Sequence, residues 1–349
     1  MKKNIQEEET EMKRIDFEAH FLTKEFVDLL RDNKGFPRVQ EDSQTGSRYL
    51  FYSEGVSLKL VEGIGDKLLD LGEGRLKDMD ANGVDVQVLS LTAPGLEQFD
   101  GSIATELAKK TNEHLAGAIQ RHPDRFMGFA TLAPQNPEEA AVELERAVKD
   151  LGFKGWNTHS NYAGSYLDEK KYWPILEKAE EVAAFIYLHP TVPAIPQLCT
   201  HGFAFAGAPF GFGFETAMCM MRMIFSGVFD RYPGLKVMLG HYGEALPFLL
   251  TRLDWAYMRP PELTDRPDLT KKPSDYLKDN VFVTTSGNFF EPAFMCTLQA
   301  LGMEKIFLGS DYPYEKMEES IQFLEDLPMS AEDKEKLYYL NAGQLGITI

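Results

Sequence analysis

FIYLHP at 185–190 decides the reading of this chain: a short, apolar, strand-forming run that ends on a histidine and is broken at once by proline. Three other segments share the construction. RIDFEAH (14–20) ends on Glu18 and His20, VMLGHYGE (237–244) runs into His241 and Glu244, and IFLGSDYP (306–313) runs into Asp311. Side chains alternate along an extended segment, so Glu18 and His20 share a face and both can reach one ion.

Working outward, apolar or β-branched runs recur at 14–17, 85–89, 126–130, 153–157, 184–188, 236–239, 281–284 and 305–308. Each is followed by a segment of helical spacing. One such segment places Ile103, Leu107, Leu115 and Ile119 on one face, and 137–150 (PEEAAVELERAVKD) is acidic in its first turn. Further helices are predicted at 172–183, 215–230, 244–255, 292–301 and 331–345. Eight alternating strand and helix units predict parallel strands closed into a (β/α)8 TIM-like barrel with inserted loops at its C-terminal face. An open doubly wound sheet lacks its glycine-rich phosphate loop here, after the first strand. Residues 1–12 show no apolar period and are expected to form a flexible arm ahead of a single barrel domain at 13–349. The stretches 33–75 and 190–214 interrupt the alternation, and loops of that length wall an active site.

A chain of 349 residues, 44% of them hydrophobic, can bury one large core. Its 54 acidic and 36 basic residues leave a net charge of −18, which argues against nucleic acid or an anionic membrane as partner. No apolar run spans a bilayer, and MKKNIQEEETEMKR has no secretory core, so a cytoplasmic protein is expected. Cys199, Cys219 and Cys296 are odd in number and widely spaced, as reduced thiols are.

In a barrel of this kind chemistry gathers where strands end at the C-terminal face. Glu18, His20, His189, His241 and Asp311 all fall at such ends, and their mixed carboxylate and imidazole donors suit Mn2+, Zn2+ or iron. His114, His122 and His201 lie in or beside a helix or in a long loop, whereas His159 follows the fourth strand and can face a ligand.

The longer motifs LLDLGEGRLKDMDANGVDVQVLSLTAPG (68–95), HPDRFMGFATLAPQNP (122–137), LGFKGWN (151–157), FGFGFETAM (210–218), GVFDRYPGLKVMLGHYGEALPFLLTRLDW (227–255) and LGSDYPYE (308–315) cover most of the chain. Through them the sequence resembles the amidohydrolase superfamily and, within it, the branch of 5-carboxyvanillate, γ-resorcylate, 2,3-dihydroxybenzoate and aminocarboxymuconate semialdehyde decarboxylases. The resemblance implies Glu18, His189 and Asp311 as metal ligands, with His20 as a fourth ligand as in branch members that carry Glu-x-His. The 5-carboxyvanillate enzymes have Ala at the His20 position. A second metal in hydrolytic members needs a carboxylated lysine after the fourth strand, where this chain has Asn157, Thr158 and His159. One divalent ion per chain, Mn2+ or Zn2+, is therefore expected.

The activity so implied is non-oxidative decarboxylation of an ortho-hydroxylated aromatic carboxylate. Asp311 would be the proton donor to the ring carbon, and His241, oriented by Glu244, would move protons at the phenolic oxygen. Arg252 would bind the substrate carboxylate, in its own or a neighbouring subunit's site. Phe212, Phe214 and His159 would line the substrate pocket. A homodimer or homotetramer goes with that resemblance. The same ligands could support hydrolysis of a lactone or amide by a metal-activated water, and a non-catalytic metal-binding barrel is the alternative from another class.

Overall fold

The computed structural model describes residues 12–347. The arm expected at 1–12 lies outside these residues except for Met12, which packs against the core. Eight parallel strands run in sequence order around the sheet: β1 (Ile15–Phe21), β2 (Val86–Leu91), β3 (Phe126–Thr131), β4 (Gly155–His159), β5 (Phe185–His189), β6 (Val237–Leu239), β7 (Val281–Thr284) and β8 (Ile306–Phe307). The ring closes between β8 and β1, where the Phe17 N–H donates to the Leu308 carbonyl and the His20 N–H to the Tyr312 carbonyl, both at 2.8 Å. The chain is a TIM barrel, with a strand at each of the eight expected runs.

Two apolar layers hold it. Inside, Ile15, Phe17, Val88, Phe129, Phe185, Met238, Phe282 and Phe307 fill the lower barrel, with Phe17 on Phe307 and Phe129 on Phe185 edge to face at 4.9 Å. Each fully buried ring of this kind contributes roughly 1.5–3 kcal/mol, so the floor of the site is dry and fixed. Outside, Ala19, Phe21, Leu89, Trp156, Ile186, Leu188, Val237 and Ile306 pack with helix residues such as Leu107, Leu144, Ile175 and Ile224. Ile103, expected on the buried face of Gly101–Arg121, is half exposed because the buried stripe of this helix runs through Ala104, Leu107, Ala108, Thr111, Leu115 and Ala118 and leaves Ile103 at its edge.

A bulge in β1 links these layers to the chemistry. Asp16 pairs with Gln87 and Ala19 with Leu89, so β1 carries one extra residue between those points. The bulge changes the phase of the strand: Ile15 and Phe17 join the inner cluster, Ala19 and Phe21 the outer one, and Glu18 and His20 face inward above the floor. The Asp16 carboxylate accepts the Glu18 N–H at 3.1 Å and gives that amide a partner inside the bulge.

The stretch 33–75 is not a structureless loop. It contains an antiparallel sheet of Arg38–Glu41, Arg48–Ser53 and Val56–Lys59, turned at Gly46 and Gly55, and two helices, Ile64–Leu69 and Glu73–Ala81, the second running past 75. Tyr52 of this sheet stacks on Phe203, and with Phe36, Gln98, Asn161 and Thr191 it walls a cavity of about 580 Å³. Several helix bounds also move. The segment expected at 215–230 is a helix from Gly211 to Phe225 followed by Val228–Arg231, and the one at 244–255 begins only at Leu246. The segment expected at 331–345 is helix Ala331–Tyr338 followed by a 3₁₀ segment, Leu340–Leu345. Among the described residues no helix is long and apolar enough to cross a membrane.

Candidate metal centre

The ends of β1, β5 and β8 bring Glu18, His20, His189 and Asp311 together, with one donor atom from each within 4.8 Å of the others. The His189 Nδ1–H donates to the Pro190 carbonyl at 2.8 Å, which leaves Nε2 as the free lone pair. Burial first, then the neighbouring imidazoles, holds the His189 pKa well below the ordinary histidine value, so it is the neutral ring that a metal requires. The His20 ring is fixed through Nδ1, which lies 3.0 Å from Ser90 Oγ.

The remaining atoms fit one ion. Glu18 Oε2 accepts from the Thr284 hydroxyl, whereas Glu18 Oε1 and His20 Nε2 are buried with no hydrogen-bond partner. His20 Nε2 lies 3.0 Å from Asp311 Oδ1 but is not aligned with it as a hydrogen bond, the relation expected of two ligands that face a common centre. Room for that centre comes from glycine. A Cβ at Gly240 would stand 3.0 Å from Glu18 Oε1, and one at Gly309 would stand 2.7 Å from the Thr284 Cβ. Unpaired buried donors in a mixed carboxylate and imidazole set suit one divalent transition metal. Thr284→Val keeps the shape of the site and frees the Glu18 carboxylate to turn. Its affinity for Mn2+, measured by equilibrium dialysis, should fall about 10- to 100-fold, and an unchanged affinity would contradict this role.

A buried brace below the ligands was not anticipated from the sequence. Besides the Glu18 N–H, Asp16 accepts Ser310 N at 2.9 Å, Ser310 Oγ at 2.5 Å and Gln87 Nε2 at 3.0 Å. Burial pushes its carboxyl up to about 6 against the pull of those four bonds. Gln87 Oε1 in turn accepts Arg75 Nη1 at 3.2 Å, and Arg75 Nη2 donates to the His20 carbonyl at 2.7 Å. The chain of contacts ties the residue before Asp311 to the strand that carries Glu18 and His20. The signal was an acid inside the apolar run IDF, and a buried Asp needs donors.

His241 and Glu244 lie beside the cluster, with His241 Nδ1 2.8 Å from Glu244 Oε1 and His241 Nε2 3.8 Å from Glu18 Oε1. Glu244 does not sit in a helix first turn. Residues 241–245 form a left-handed turn with φ of 53°, 58°, 82°, 53° and 63°, and the helix Leu246–Tyr257 begins after it. Each non-glycine residue there costs roughly 1–2 kcal/mol. Offsetting bonds run from the Gly243 N–H to the Gly240 carbonyl at 2.8 Å and from the His241 N–H to Ser286 Oγ at 3.2 Å. Strain held in place at a site of this sort sets side-chain direction, and here it turns His241 toward Glu18. Burial lowers the His241 pKa, but the charges of Glu244 and Glu18 outweigh it and push the pKa up to about 10. A divalent cation beside the same carboxylates opposes that rise.

Phe212 and Phe214 prove to lie in the first turn of helix Gly211–Phe225 and not in a loop. The flanking glycines mark close approach: a Cβ at Gly213 would stand 2.6 Å from Glu244 Oε2, and one at Gly211 2.4 Å from the Ala206 carbonyl. Phe214 is 56% exposed and stacks on Phe210, and Phe212 packs edge-on against Phe203. Arg252 is on the outer face of helix Leu246–Tyr257, with its guanidinium over Trp255. Within one chain these three contact neighbours other than the ligands. Tyr314, which the sequence did not single out, lies 5.9 Å from the His20 ring and shares a hydrogen bond with Thr92 at 2.8 Å. His159 lies inside the barrel next to His189.

Residues 15–345 match the family model described as amidohydrolase. The chain is 33% identical to γ-resorcylate decarboxylase of Polaromonas sp., over 95% of this chain and 98% of that one. In structure it is similar to 5-carboxyvanillate decarboxylase from Sphingomonas paucimobilis, at TM-score 0.86 and 32% identity over 97% of this chain and 100% of that one. It is also similar to the Novosphingobium aromaticivorans 5-carboxyvanillate decarboxylase complexed with manganese and 4-hydroxy-3-methoxy-5-nitrobenzoic acid. That match has a TM-score of 0.85 and 37% identity over 96% of both chains.

Proposed function

The chain belongs to the amidohydrolase family, and from that membership and its centre we propose a metal-dependent, non-oxidative decarboxylase of an ortho-hydroxylated aromatic carboxylic acid. Asp311 is the observation that carries it. The side chains of Glu18 and His20 are sealed at 0% exposure, whereas that of Asp311 is 18% exposed, so this ligand can also meet a substrate carbon from the mouth of the barrel.

Direct loss of CO2 from an arylcarboxylate would leave an in-plane anion that the ring π system cannot stabilise, so protonation of the ring carbon comes first. Glu18, His20, His189 and Asp311 would hold a divalent ion such as the manganese of the Novosphingobium relative, which would supply positive charge for an anionic substrate. Asp311 takes up a proton from solvent as the substrate's own negative charge arrives, delivers it to the carbon that bears the carboxylate, and is reprotonated from solvent in the next turnover. His241, fixed by Glu244, takes the phenolic proton and returns it once CO2 has left and the ring is aromatic again. The decisive experiment is a CO2-release screen over hydroxylated benzoates with the Mn2+-loaded protein. Release of CO2 supports the assignment, and formation of a new carboxylate from lactones or amides in place of CO2 sinks it.

Arg252 is assigned to the substrate carboxylate across an interface between copies. The helix that carries it shows Phe248 at 79% and Trp255 at 60% exposure, with Met258 and Leu263 exposed beyond it, an apolar surface of the kind that subunit contacts cover. A homodimer or homotetramer is expected by light scattering. Phe248→Asp should shift it to monomer and raise KM, and a monomeric wild-type protein with full activity contradicts this arrangement. The three free thiols, Cys199, Cys219 and Cys296, support a cytoplasmic location.

A further inference from the structure

A second histidine and carboxylate pair stands on the other side of the centre. His159 ends β4 and is in register with His189 on β5, their rings 5.6 Å apart at 77°. It is 2% exposed, and its Nδ1 lies 3.1 Å from both oxygens of the buried Glu97. Glu97 Oε1 also accepts the His159 N–H and the Thr158 hydroxyl, each at 3.2 Å. The loop is built around this pair. Gly95 has φ +74°, and a Cβ there would stand 2.1 Å from Glu97 Oε2 and 2.3 Å from His159 Nδ1, so no other residue fits.

A carboxylate at Nδ1 fixes the ring as the tautomer that donates from Nδ1 and offers a lone pair at Nε2. That Nε2 is buried and has no partner. The mechanism through Asp311 and His241 does not use it, and the four-ligand cluster does not include it. A buried acceptor without a partner calls for a donor, and a hydroxyl on a substrate bound at the adjacent centre supplies one. We propose that His159, positioned by Glu97, is a specificity-determining residue that accepts a hydrogen bond from a second hydroxyl on the substrate ring, beyond the one ortho to the carboxylate. The assignment rests on the decarboxylase reading for the identity of the ligand.

The test uses the full-length Mn2+-loaded protein with 2-hydroxybenzoate, its four ring-hydroxylated derivatives and the matching methyl ethers, and reads both Kd and CO2 release. One hydroxylated isomer is expected to exceed its own methyl ether by about tenfold to a hundredfold, as an unpaired buried acceptor implies. In His159→Phe that ratio should fall to about one. Glu97→Gln should do more than weaken it. The amide oxygen stays with the His159 N–H and the Thr158 hydroxyl, the amide nitrogen faces Nδ1, and the ring proton moves to Nε2. The preference should then invert toward the ether oxygen, which a merely structural Glu97 would not produce. A ratio that survives in His159→Phe, or wild-type protein without any preferred isomer, overturns the assignment. The same Kd ratios without CO2 release overturn the decarboxylase reading alone.

Discussion

Asp311→Asn should lower kcat for any accepted hydroxybenzoate by at least about 10³-fold, within the range that loss of a positioned proton donor produces, while the protein stays folded. The substitution separates two duties of one side chain. Asn keeps an oxygen that can face His20 Nε2, now 3.0 Å from Asp311 Oδ1, but it cannot carry the proton for the ring carbon. It also suits the backbone: Asp311 has φ +56°, a region that Asn enters at least as readily as Asp and that Ala enters at a cost. Circular dichroism and melting temperature should therefore match the wild type, and CO2 release at the wild-type rate would remove Asp311 from the mechanism.

His241→Asn should lower kcat by about 10²- to 10³-fold with metal content unchanged, because His241 reaches the Glu18 carboxylate only at 3.8 Å. Glu244→Gln acts through His241 and should cost less, about tenfold. The same pair gives a pH signature in the metal-free protein. The folded His241 pKa, about 10, exceeds the ordinary 6.5, so its ion pairing adds stability that is complete below pH 6.5 and is lost as pH rises toward 10. The melting temperature of metal-free wild type should fall across that window more than that of His241→Asn. Parallel curves for the two would remove the charged pair.

The barrel was legible because each of its strands is a short apolar run stopped by a polar or glycine-containing turn, and the ligands were legible because chemistry sits at those stops. What stayed hidden depends on phase and contact. Strict alternation put Glu18 and His20 on one face, but it gives no hint that Phe17 faces inward too; the extra residue in β1 and the Asp16 carboxylate bring that about. The small sheet of 38–59 was missed because its strands are only partly buried and carry little alternation, although Gly46 and Gly55 marked both turns. Gly211 and Gly213 suggested a loop, and they instead let a helix end lie against Ala206 and Glu244. Five consecutive residues with positive φ at 241–245 have no pattern in the sequence, since only Gly243 announces such a backbone. Arg75 lay at the end of the stretch 33–75, expected to be a loop, and Gln87 inside an expected strand, and their value lies in one buried hydrogen bond between separate segments.

Titration of metal-stripped protein with Mn2+, following CO2 release and bound metal together, tests the single four-ligand centre most directly. Activity should rise in proportion to bound ion and stop at one per chain, and Glu18→Gln should bind the ion weakly and stay inactive. Two tightly held ions per chain, or CO2 release from the stripped protein, would contradict it.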